Sequence, residues 1–335
     1  VTLPKGRFRL VCDPRTEAPA VVEVPVVEVP RRTISWAFVA ALVIAVVSSA
    51  WAIAVTVSRS RLADQTAGYR ALWTSEMEDL WTPFLGTSKP VVVSIADPPF
   101  AQFGGGGAYR ELTLNSWEDI QKSANVAKIR SALGNPALMP GGYYVPIGEV
   151  SAVFSLGRLL GPRVPAISLL RASELSLQQV TNNNVIYVGA SVFVENLLNG
   201  SPASMEFATS RGQSQSGISV LHPKPGEPSK FVDSLPTGAA ENGEVYALVT
   251  KMPGPQQSSQ FIAFTSNRTP SRLAAVEWFT EARHAAELVR AIRKPDGSLP
   301  QNYQVILKVR FMNGVPTETS YVAHRELAVQ TGTAH

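Results

Sequence analysis

The side chains able to do chemistry are few and far apart. The four histidines, His222, His284, His324 and His335, show no HxxxH or HExxH spacing. No pair is therefore placed on one helical face as metal ligands, and neither a metal nor a cofactor is expected. Ser191 follows Gly189 and Ala190, but the segment GASVF lacks the second glycine of a GxSxG elbow, and no aspartate and histidine follow it in a convincing triad order. No catalytic residue is assigned. His324, beside Arg325, reads as a hydrogen-bonding residue within a sheet. Glu76, Glu78 and Asp79 read as a solvated acidic face, and Cys12, the one cysteine, as a reduced thiol.

Two places remain where a small molecule could be held. Asp97 closes an apolar run and is followed by Pro98, Pro99 and four glycines at 104–107. Backbone amides of a glycine-rich turn can cradle a phosphate, yet the segment has neither the GxxxxGK[ST] lysine and hydroxyl nor GxGxxG in register, so it reads as a flexible surface loop. Gly189 and Ser191 follow a second apolar run. In open α/β sheets ligands bind outside the carboxyl ends of strands, where the strand order switches. Asp97, Gly189 and Ser191 are the ligand-binding candidates on that ground.

The elements that must position them read as follows. Residues 90–96 (PVVVSIA) and 185–189 (VIYVG) are unbroken apolar runs, the pattern of strands buried on both faces. Residues 145–160 read as a helix with Ile147, Val150, Phe154 and Leu159 or Leu160 on one face. A short strand is expected at 164–169, a short helix opening at Ser173 and Glu174, and a helix at 191–198 directly after the second buried strand. Strands alternating with helices indicate parallel α/β units. Antiparallel strands follow at 217–221, 243–251 and 260–266, then a helix capped by Thr269 with Pro270 in its first turn, running to about residue 293 with a break near Arg283. At the end, Tyr303, Val305, Leu307, Val309 and Phe311 alternate with Gln304, Lys308 and Arg310 up to Asn313-Gly314. Asn-Gly favours a tight hairpin because both residues tolerate positive φ, and 317–326 is the return strand.

Composition and one long run set the organisation. Residues 34–57, ISWAFVAALVIAVVSSAWAIAVTV, contain no charge and no proline, and a run of at least about 18 apolar residues reads as one crossing of a bilayer. Basic residues lie on both sides of it, with an excess before it that leans toward a cytoplasmic N-terminus. The fold class is α/β: a single transmembrane helix followed by a mixed-sheet, three-layer α/β domain ending in an antiparallel hairpin. Residues 1–16 read as a remnant β-hairpin of a missing N-terminal domain, 17–33 as a Pro/Val/Glu tether carrying VVEVP twice, 34–57 as the span, 58–86 as a stalk helix and 87–335 as the extracytoplasmic domain. Leu62, Tyr69, Trp73, Met77, Leu80 and Phe84 recur at helical spacing along the stalk, with Pro83 marking its end, and this face could dock on the domain or pair two copies in a homodimer. The net charge of +4 is mild and scattered, so no nucleic-acid binding is expected.

The segments LPKGRF, LWTPFLGTSKPVVVSIADP, RASELSLQQVTNNNVIYVGA, EVYALVT with FIAFTSN, and NYQVILKVRF with AHREL resemble a family of uncharacterised acidobacterial membrane proteins. The resemblance implies a winged-helix-like N-terminal domain labelled as a transcriptional regulator or adenylate-cyclase-related protein, absent here, then a tether, one span and an extracytoplasmic α/β domain. It implies no catalytic signature. This chain departs from the family at Asn182, Asn183, Asn184 and Val185, where a proline usually leads into the strand.

These readings together make the chain a sensory or ligand-binding domain of a single-pass inner-membrane protein, with the C-terminal domain periplasmic. Its partners would be the lipid bilayer and a small-molecule ligand. A membrane-anchored enzyme and an envelope scaffold are the alternatives. A pocket of perturbed acids would favour the enzyme, and a pocket of neutral donors would favour sensing.

Overall fold

The computed structural model describes residues 73–111, 113–141, 144–211, 215–235 and 242–329, together with four helical residues, Ala45, Ser48, Ser49 and Trp51. Among these no helix is long and apolar enough to cross a membrane. The expected remnant hairpin and tether, the first part of the stalk and all but those four residues of the expected span lie outside the described residues.

In chain order the elements are α1 (Ser75–Leu85), β1 (Val91–Ile95), β2 (Phe100–Phe103), β3 (Ala108–Tyr109), α2 (Trp117–Lys122), α3 (Ala124–Ala132), β4 (Leu138–Gly141), α4 (Ile147–Leu160), β5 (Ile167–Arg171), α5 (Leu177–Asn182) and β6 (Asn184–Gly189). There follow α6 (Glu195–Asn199), β7 (Phe207–Ser210), β8 (Gly217–Val220), β9 (Lys230–Val232), β10 (Gly243–Pro253), β11 (Gln260–Ser266), α7 (Thr269–Thr280), α8 (Ala282–Ile292), β12 (Tyr303–Met312) and β13 (Val315–Glu326).

Seven strands form one mixed sheet in the order β13-β12-β10-β11-β6-β1-β5. The four strands β5, β1, β6 and β11 are parallel, and β10, β12 and β13 add antiparallel. All five residues of β1 and all six of β6 are buried, as unbroken apolar runs require when both faces are covered. Period-2 alternation sorts the side chains. Val91, Val93, Ile186, Val188, Ile262, Phe264, Val305 and Leu307 meet α1, α4, α7 and α8 on one face. On the other face Val92, Val185, Tyr187 and Ala263 meet the α5 and α6 region, and Leu248 and Ile306 pack under the small antiparallel sheet β7-β8-β9. The closing hairpin turns at Asn313 and Gly314, both at positive φ, the geometry that Asn-Gly supplies.

Several local expectations are corrected. Residues 104–107 are the turn of the β2–β3 hairpin, with Gly105, Gly106 and Gly107 all at positive φ and the Phe103 amide donating to the Gly107 carbonyl. With β4 this hairpin makes a second small sheet, closed by α2 and α3 over Ala101, Phe103, Ile120 and Val126. Helix α1 continues through Pro83 to Leu85, because Met77, Leu80, Trp81 and Phe84 are buried in the domain core and the Trp81 indole donates to the Phe279 carbonyl at 2.8 Å. The docking face of the stalk is thus filled by its own domain over these residues. At its start, Glu78 accepts from the Trp73 indole and pairs with Arg163 at 2.5 Å, whose guanidinium covers the Trp73 ring.

The buried face of α4 keeps Leu159 and Leu160 of the expected one but not Ile147, Val150 or Phe154. Ile147, Val150 and Phe154 are 78%, 48% and 69% exposed, while Gly148, Glu149, Ala152, Leu156, Leu159 and Leu160 face inward. Helix α4 lies so close to α7 that a Cβ on Gly148 would sit 2.4 Å from Thr269 Cγ2. Small residues on the inner face permit that approach. Helix α7 starts at Thr269, with Arg268 in the cap position, and the break before α8 falls at Glu281.

Candidate functional site

Parallel strands β1, β6 and β11 end side by side, Ile95 pairing with Val188 and Phe264 with the same Val188. From β1 the chain leads to the β2–β4 insertion and α4, which packs on one face of the sheet. From β6 it leads to α6 and the small sheet on the opposite face. Adjacent parallel strands whose connections leave toward opposite faces open a crevice at their carboxyl ends.

The three residues expected at that crevice have different roles. Asp97 accepts from the Ser173 amide at 3.0 Å and from its hydroxyl at 2.5 Å, fixing the 3-10 turn Ala172–Glu174 that follows β5. Gly189 is buried within β6. A Cβ there would lie 2.4 Å from the Tyr187 hydroxyl and 2.6 Å from Ala96 Cβ, so glycine is required to seat Tyr187, whose hydroxyl donates to the Ala190 carbonyl at 2.7 Å. Burial pushes the Tyr187 phenol far above its ordinary range, which keeps it a neutral donor. Ser191 alone of the three faces a cavity. It opens the 3-10 turn Ser191–Phe193, and its hydroxyl shares a hydrogen bond with that of Thr209 on β7.

That cavity measures about 290 Å³ and is lined among others by Ser191, Glu195, Thr209, Arg211, Thr265 and Gln304. Its wall is preset by hydrogen bonds. Thr265 donates to the Leu248 carbonyl at 3.0 Å. Gln304 accepts from the amides of Glu206 and Phe207 at 2.9 and 2.8 Å, and it donates to the Phe207 carbonyl and the Thr250 hydroxyl at 2.9 and 3.0 Å. Gln304 therefore ties the small sheet to the large one. Alternation along β12 placed it with Lys308 and Arg310 on a polar side, but Gln304 is covered by β7 while the Arg310 side chain stays exposed.

Positive charge gathers at the same end. Arg211 is exposed and makes no hydrogen bond or ion pair among the described residues. Arg110, on the insertion, donates to the carbonyls of Glu111 and Leu114 and to Asn115. Its guanidinium is pushed down to about 10, by burial first and by the charge of Arg211 second. Deeper in, Arg272 pairs with Glu149 at 2.8 Å. The cavity thus offers hydroxyls, the Glu195 carboxylate and a guanidinium unpaired among the described residues, a polar set for a polar or anionic small molecule. Ser191 shares its hydrogen bond with the Thr209 hydroxyl, whereas a serine nucleophile is activated by an adjacent base.

His324 sits away from this crevice, 2.6 Å from the Tyr321 hydroxyl on the same strand, the sheet role read for it from sequence. Neither Arg110 nor Arg211 stood out in the sequence, since isolated arginines carry no pattern. Their nearness arises only when the insertion after β1 and the end of β7 fold to the same strand ends. The chain matches no protein-family model, no curated protein and no solved structure in the comparisons made.

Proposed function

We propose that residues 73–329 form a ligand-binding domain that senses a small anionic or polar molecule in the cavity between the carboxyl ends of β6 and β11 and strand β7. The observation that carries this reading is the 290 Å³ cavity lined by Arg211, unpaired among the described residues, with Ser191 and Thr209 on its wall. The paired hydroxyls of Ser191 and Thr209 beside a guanidinium suit reversible binding better than bond cleavage, which needs a poised base or nucleophile.

The apolar run at 34–57 and the resemblance to single-span envelope proteins support a tether to the inner membrane, with a cytoplasmic N-terminus and this domain in the periplasm. A ligand that favours one conformation would then bias α1, which lies between the run and the domain core. Pairing of two stalks falls to residues before Trp73, because Met77, Leu80 and Phe84 are buried in their own domain.

The test is thermal stability across a panel of small anions and polar metabolites. A ligand at 100 times its Kd should add about 2.7 kcal/mol of stability, and Arg211→Ala should abolish that gain for an anion. No stabilisation by any member would overturn the binding reading. A reporter enzyme fused after His335 checks the topology, and activity of a cytoplasm-specific reporter would overturn the periplasmic placement.

A further inference from the structure

A second cavity lies at the other end of the sheet. It measures about 460 Å³ and is lined by Asp79 and Pro83 of α1, Lys251 of β10, Tyr303 of β12, and Leu299 and Gln301 of the loop before β12, among others. Lys251 pairs with Ile262 near the amino end of β11, so this cavity is separate from the crevice at the carboxyl end of the same strand.

Two of its side chains have donors left over. Lys251 is 3% exposed, and its ammonium donates to the Gln301 carbonyl while lying 5.5 Å from the centre of the Tyr303 ring. An ammonium has three N–H donors, so this leaves capacity unused. Among the described residues no carboxylate pairs with it. Asp79 is engaged by Arg293 at 2.8 Å. Tyr303 is 2% exposed, and its hydroxyl has no hydrogen-bond partner among the described residues. A buried cation without a counter-ion and a buried hydroxyl without an acceptor are each unfavourable, and they are neighbours across the β10–β12 ladder, Lys251 opposite Tyr303.

We propose that this cavity binds a carboxylate-bearing small molecule, with Lys251 and Tyr303 as the donors to the carboxylate and Leu299 and Pro83 against an apolar body. A carboxylate supplies the missing counter-charge and the missing acceptor together. Burial pushes the Lys251 amine down to about 8, and a bound anion would raise it again. The site also touches α1, so its occupant would bear on the same helix that leads toward the apolar run.

The experiment is calorimetric titration of the full chain with sodium hexanoate, with hexanol and hexylamine as controls for charge. Hexanoate should bind at least about tenfold more tightly than either control, and Lys251→Met should weaken it by about tenfold or more, the loss expected for a hydrogen bond to a charged group. Tyr303→Phe should weaken it about two- to tenfold. Arg211→Ala should leave hexanoate binding unchanged, which separates this site from the carboxyl-end crevice. Equal binding of hexanol, no binding of hexanoate, or unchanged binding in Lys251→Met would overturn the proposal. If Lys251→Met fails to fold, the hexanol comparison and Tyr303→Phe decide it.

Discussion

The carboxylate of Glu149 lies 2.8 Å from the guanidinium of Arg272, and the two side chains are 1% and 8% exposed. They join the first turn of α4 to the first turn of α7 beneath the carboxyl end of β11. Arg272 also donates to the Ser266 carbonyl at 3.3 Å and the Thr269 hydroxyl at 2.8 Å. Among the described residues one Glu149 oxygen and the Arg272 Nε have no partner. Burial pushes the Glu149 carboxyl above its ordinary range against the pull of Arg272, so desolvation outweighs attraction at this pair. Removing one member leaves the other charge buried and alone, and Glu149→Gln or Arg272→Met should each destabilise the domain by about 3 to 5 kcal/mol. The double change Glu149→Gln with Arg272→Met should lose far less than the sum. A double-mutant cycle by urea denaturation measures the difference.

Gly189→Ala tests whether the residue at the end of β6 serves packing. The added methyl meets the Tyr187 hydroxyl and Ala96 Cβ, neither at the end of a flexible chain. Overpacking of this kind destabilises by about 1 to 3 kcal/mol. The companion change Tyr187→Phe removes the nearer obstacle and should restore part of the loss in Gly189→Ala, read from the urea midpoint of the pair.

Much of the sheet was legible because its strands are unbroken apolar runs or strict alternations. Residues 90–96 and 185–189 fell within a residue or two of β1 and β6, and Asn313-Gly314 closes the last hairpin. The inner face of α4 was not legible, because its apolar residues run nearly all round the helix and periodicity cannot choose between two apolar faces. What decides the face is the close approach at Gly148 and the charge at Glu149, which the sequence read alone scores as unfavourable to burial. The insertion β2–β4 with α2 and α3 was missed for a related reason. Its strands have two to four residues and its turn is four glycines, a pattern without a period. The candidate crevice was legible only as strand ends. Ser191 faces the cavity, while Asp97 and Gly189 hold the frame around it, and Arg110, Arg211 and Gln304 come from segments distant in sequence.

Gln304 offers a test of how the small sheet is held. Its amide makes four hydrogen bonds to the end of α6–β7 and to β10. Gln304→Leu keeps the bulk and strands two amides, a carbonyl and a hydroxyl, and an unsatisfied buried group costs about 1 to 3 kcal/mol. Hydrogen exchange should accelerate at Phe207–Ser210 and change little at Asn184–Gly189, because only the former depends on the clamp. Uniform acceleration across both strands would mean that Gln304 supports the whole sheet.

The Lys251 amine makes the stability of the domain depend on pH in the alkaline range. In the unfolded chain it titrates at its ordinary value near 10.5, and in the folded chain burial brings it to about 8. Between those values the unfolded state holds the proton and the folded state does not, so stability rises with pH across that window. Below about 8 both states are protonated and folding carries the full burden of the buried charge, about 3 kcal/mol for a shift of this size. Above 10.5 both are neutral and the burden is gone. Urea midpoints taken from pH 7 to pH 11 should therefore climb in the wild type relative to Lys251→Met, which lacks the titrating group and stays level in this respect. Saturating hexanoate should flatten the wild-type slope, since a bound carboxylate favours the charged amine and removes the difference between the folded and unfolded values. A wild type that tracks Lys251→Met throughout would mean that the amine keeps its proton in the folded domain.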